Sequence, residues 1–65
     1  MDIYVTKAMD AYPYQLAETV EALNYALSAD ETNIYALCLM GRVYAEQLFN
    51  YKEAIRCYEE ALGHD

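Results

Sequence analysis

Tryptophan is absent from this chain, phenylalanine and proline occur once each, glycine occurs twice, and only four of the 65 residues are basic. With Pro13, Gly41 and Gly63 as its only strong breakers, a chain rich in Ala, Leu, Tyr and Glu orders at least cost as helix, and its composition argues against disorder. Cysteine is also scarce: Cys38 and Cys57 are too few and too far apart for a zinc ribbon or a CxxC redox pair. In a helical chain they read as small buried hydrophobes, with a disulfide between them as the alternative. No apolar run approaches the roughly 20 residues of a membrane span. The opening MDIYVTKAMD lacks the charged and apolar regions of a signal peptide, so the expected location is cytoplasmic. Bases are nearly missing from the first 41 residues, where Lys7 stands alone, and the formal net charge is −7. Such a surface repels phosphate, which makes nucleic acid and anionic membrane poor partners and favours neutral or basic proteins. The length allows one small domain, at a size where folding hides only about 60% of the unfolded chain's surface and stability is marginal.

Repetition is what the chain has in place of these things. Residues 16–30 laid over 51–65, an offset of 35, pair Leu16, Glu18, Val20, Leu23, Ala26, Leu27 and Asp30 with Tyr51, Glu53, Ile55, Tyr58, Ala61, Leu62 and Asp65. Four pairs are identical and three are apolar on apolar. A period of this length marks a stack of units that bury their apolar faces against one another.

The spacing of apolar residues predicts helices over about 2–11, 15–29, 34–48 and 51–62. In the last, Tyr51, Ile55, Tyr58 and Leu62 step by 4, 3, 4 and line one stripe, with Asn50 as N-cap, Glu53 three positions on in a capping-box-like pattern, and Gly63 as stop. The second helix repeats the stripe with Leu16, Val20, Leu23 and Leu27 and is entered through Pro13, which a first helical turn tolerates. The third has Leu37, Gly41, Tyr44 and Leu48, capped by Thr32 or Asn33. The first has only Tyr4, Ala8 and Ala11 before Tyr12-Pro13 breaks it. Loops this short favour antiparallel neighbours, hence an all-α fold of two helical hairpins.

Leu37, Met40, Gly41 and Tyr44, followed by Ala54, Tyr58 and Ala61, resemble the tetratricopeptide repeat (TPR) family, whose unit carries W-x2-L-G-x2-Y in its first helix and A-x3-F in its second. The resemblance spans nearly the whole chain, as repeat one over about 1–32 and repeat two over about 33–65. It implies a short right-handed solenoid in a single domain. Departures are visible: Leu37 replaces the large aromatic, Glu31 stands where the closing proline belongs, and one extra residue separates Gly41 from Ala54. Repeat one is degenerate, with Ala8, Thr19 and Leu23 in the glycine, alanine and aromatic positions.

By the same resemblance the first helices of each unit line a concave groove that holds a peptide. The positions facing it here are Val5, Met9 and Tyr12 with Tyr35, Cys38, Arg42, Ala45 and Glu46. Members that clamp a terminal carboxylate use several Lys, Asn and Arg side chains, whereas this groove offers Arg42 alone, so that specificity is not implied. An alternative for Tyr12, Tyr35 and Cys38 is partial burial in the core or against a neighbouring chain. No cofactor or metal is expected. His64 sits in a terminal tail without Ser or Thr beside it, and Glu18, Glu21, Glu59 and Glu60 read as solvated faces, so catalysis is not expected either. Glu53 and Arg56, at i and i+3, read as a surface pair.

The expected function is therefore a protein-protein interaction module. Its runner-up is self-association, because a solenoid needs a polar cap and the fourth helix ends without one. Either the 65 residues belong to a longer array, or two copies cover each other's open end.

Overall fold

A computed structural model describes residues 2–63 of the chain. Among these residues all regular structure is helical: α1 (Ile3–Ala11), α2 (Leu16–Ala29), α3 (Ile34–Arg42), a π-helical turn (Val43–Gln47) continuous with α3, and α4 (Tyr51–Gly63). The expected helices are all present. Asp65, the partner of Asp30 in the internal repeat, and His64 lie outside the described residues.

Local chemistry sets the helix starts. The Tyr4 amide donates to Asp2 Oδ1 at 2.7 Å, the Ala36 amide to Asn33 Oδ1 at 3.1 Å and the Glu53 amide to Asn50 Oδ1 at 3.2 Å. Three helices thus carry a side-chain N-cap, and Asn33 rather than Thr32 caps α3, Thr32 being drawn back to Asp30. Only half of the expected capping box forms at α4, because the Glu53 carboxylate turns to Arg56 instead. Pro13 lies in the turn before α2 and not in its first helical turn; α2 begins at Leu16, behind Gln15, whose side chain makes no cap.

Packing follows chain order. α1 lies chiefly against α2 and α3 against α4, while α2–α3 and the smaller α1–α3 contact join the pairs. The core gathers Val5 and Ala8 of α1, Ala22, Leu23 and Ala26 of α2, and Ala36, Leu39 and Val43 of the α3 rod. Leu23 is fully buried, as its place in the stripe requires, and Thr19 beside it is buried with its hydroxyl donated to the Gln15 carbonyl at 3.0 Å. The second helices repeat their burial at the sequence offset: Thr19, Ala22 and Ala26 are buried in α2, and Ala54, Cys57 and Ala61 in α4. Small residues at these positions let the helix axes approach closely.

The α4 stripe is open, as expected of a fourth helix that ends without a cap: Tyr51, Ile55 and Leu62 are 59%, 57% and 73% exposed, only Tyr58 of the four is half-buried, and none of the described residues lies over the outer side of α4. One expectation is corrected here. Of the two cysteines only Cys57 is a buried hydrophobe; Cys38 is half-buried, and both are free thiols.

Candidate functional site

α1, the turn after it and α3 together form a groove of about 290 Å³ lined by Met9, Tyr12, Tyr35, Cys38, Leu39 and Arg42. Tyr35, Cys38, Leu39 and Arg42 fall at i, i+3, i+4 and i+7, so one face of α3 makes one wall. Met9 and Tyr12 make the other, from the last turn of α1 and the residue that ends it.

Five of the eight residues expected on the concave face therefore line one groove. Glu46 stands at its end, joined to Tyr12 and Arg42. Ala45 is half-buried on the π-helical turn and outside the lining. Val5 is the error: it is wholly buried in the core, because the short α1 has one apolar face and turns it to α2 and α3. Leu39, missed from sequence, lines the α3 wall and belongs to the core as well. Its signal was the i+4 step from Tyr35, obscured by the stronger stripe on the neighbouring face.

One end of the groove is a three-residue junction between elements far apart in sequence. The Tyr12 hydroxyl donates to Glu46 Oε1, Arg42 Nη2 lies 3.4 Å from the same oxygen, and the Arg42 guanidinium carbon sits 5.2 Å from the Tyr12 ring centroid. The Tyr12 hydrogen bond, and then the Arg42 charge, hold the Glu46 carboxyl below the usual carboxylate range. Burial, followed by the bond to anionic Glu46, pushes the Tyr12 hydroxyl above the ordinary tyrosine value. Arg42 is thus compensated where it stands. Both of its contacts are exposed and screened by solvent, so they bring the three side chains together without holding them rigid.

A larger hollow of about 690 Å³ runs along α2 past Leu16, Val20 and Tyr25, but every lining residue belongs to that one helix, so it has no second wall. Among the described residues no group of His, Cys, Asp or Glu is placed to hold a metal ion, and no helix is long and apolar enough to cross a membrane. No protein-family model matches the chain, and neither a curated protein nor a solved structure matches it.

Proposed function

We propose that this chain is a non-catalytic, TPR-like protein-binding module, two antiparallel hairpins stacked as a short right-handed solenoid, that holds a segment of a partner protein in the groove of Met9, Tyr12, Tyr35, Cys38, Leu39 and Arg42. The observation that carries this reading is that Met9, Tyr12, Tyr35, Cys38 and Arg42, five of the eight positions the resemblance implies, line that one groove. The repeated burial of α2 and α4, and helix contacts that run in chain order, support the stacked arrangement. Free thiols at both cysteines fit a reducing, cytoplasmic setting.

The groove's chemistry narrows its occupant to a neutral or basic segment that presents an apolar side chain. Its walls are mainly apolar, its single cation is neutralised by Glu46, and the chain's net charge of −7 repels acidic segments. Both internal donors engage Glu46 Oε1, which leaves the carboxylate's other oxygen to accept from a lysine or arginine of the partner.

Titrating amphipathic peptides of basic, neutral and acidic charge into isotope-labelled protein should move amide resonances at Met9, Tyr35, Leu39 and Arg42, with basic peptides binding tightest. Tyr35→Ala should weaken that binding about tenfold or more, the loss of one well-placed aromatic contact. Affinities unchanged by both Tyr35→Ala and Arg42→Glu would sink the reading.

A further inference from the structure

The internal repeat makes a comparison within one chain possible. Leu16, Val20 and Leu27 on α2 are half-buried against the core cluster, to which α3 contributes Ala36, Leu39 and Val43. The same repeat positions on α4 are Tyr51, Ile55 and Leu62, equal or larger in apolar bulk, and they are the exposed ones. A groove of about 360 Å³ bounded by Ile34, Tyr58 and Leu62 widens the patch toward the start of α3.

We infer that a second copy of this chain covers that face, with the two α4 helices packed antiparallel about a two-fold axis. The stripe Tyr51, Ile55, Tyr58 and Leu62 has the alternating 4, 3, 4 spacing of a coiled-coil seam, and that spacing reads the same from either end. Antiparallel pairing therefore sets Tyr51 against Leu62 and Ile55 against Tyr58 of the other copy, leaving no apolar position unmatched. Charge selects this direction. One flank of the seam is taken by Ala54 and Ala61, which are buried within the chain; the other carries Lys52 and Glu59, seven residues apart on the same side.

In the antiparallel pair Lys52 of each copy lies between the same two seam layers as Glu59 of the other, giving two opposite-charge contacts, whereas in a parallel pair the charged flank of each helix faces the Ala54 and Ala61 flank of the other and gains neither contact. These two side chains are available: Arg56 is bound to Glu53 at 2.7 Å and Glu60 at 3.3 Å, while Lys52 and Glu59 form no ion pair among the described residues. This surface differs from the peptide groove, sharing only Cys38 with it, so each proposal stands or falls alone.

Sedimentation equilibrium of the full chain, from low to hundreds of micromolar, tests it, with helical circular dichroism as the check on folding. The parent should dimerise and Ile55→Glu, at an exposed position, should be monomeric. Lys52→Glu and Glu59→Lys should each weaken the dimer about tenfold or more, since each substitution acts twice in a symmetric pair. Lys52→Glu combined with Glu59→Lys should return it close to the parent value. A parent that stays monomeric overturns the proposal. So does a dimer that survives Ile55→Glu yet is lost in Tyr35→Ala, and so does a double exchange as weak as either single one.

Discussion

Gly41 and Tyr58 show how much rests on single side chains. A Cβ on Gly41 would lie 2.8 Å from Cε1 and 2.9 Å from Cζ of the Tyr58 ring, a contact that forces one of them to move. Alanine in place of glycine within a helix gains about 1 kcal/mol in propensity, and overpacking costs about 1–3 kcal/mol. Gly41→Ala should therefore lower the urea midpoint in the parent and raise it when Tyr58→Ala has removed the ring; a rise in both backgrounds would show that the ring yields freely. The cysteines differ in the same local way. Burial, the first cause, raises the Cys57 thiol above its usual value, so a disulfide-exchange reagent should titrate Cys38 promptly and Cys57 only as fast as the chain opens. Equal rates would mean that α4 is not seated. At Tyr12 the folded value is raised, so its contribution to stability is complete below the unfolded tyrosine value near 10 and is lost as pH climbs through the higher folded one. The melting temperature should fall over that alkaline range, and less steeply in Tyr12→Phe.

At the scale of elements, the break between α3 and α4 is the telling one. The Leu48 amide reaches the Val43 carbonyl at 3.2 Å, five residues back, and so widens the last turn of the rod. That turn carries Glu46 to Tyr12. Helices over 34–48 and 51–62 were legible because periodicity and the Asn33 and Asn50 caps are local signals. The π-helical form was not, since it depends on what α3 meets at its end. After it Phe49 adopts φ 53°, in the left-handed region, with its ring 69% exposed. A bulky residue there costs about 1–2 kcal/mol that asparagine largely avoids, and the exposed ring returns little packing. Phe49→Asn should accordingly raise the urea midpoint. A drop would reveal a role for the ring that its exposure does not suggest.

Across the whole molecule, charge and size set the conditions. The body measures 25 × 25 × 15 Å, so its excess acidic charges lie within two or three screening lengths of one another at about 0.1 M salt, where that length is about 10 Å. Three exposed Arg–Glu contacts weaken with salt, while the repulsion among the excess acidic charges is relieved. The melting temperature should rise from millimolar to molar sodium chloride. A fall would mean that the Arg42 and Arg56 pairs outweigh the net charge.

What the amino-acid order determined alone was whatever depends on neighbours within a turn or two: the helices, most of their caps, the repeat, and the i, i+3, i+7 face that puts Tyr35, Cys38 and Arg42 on one wall. What tertiary structure decided was which of two adjacent faces each helix buries. Val5 went into the core and the α4 stripe stayed outside, while Tyr12, Arg42 and Glu46 met across three elements. Periodicity shows that an apolar face exists, but the crossing of one helix over another determines whether that face is covered, and no residue spacing within a single helix encodes it.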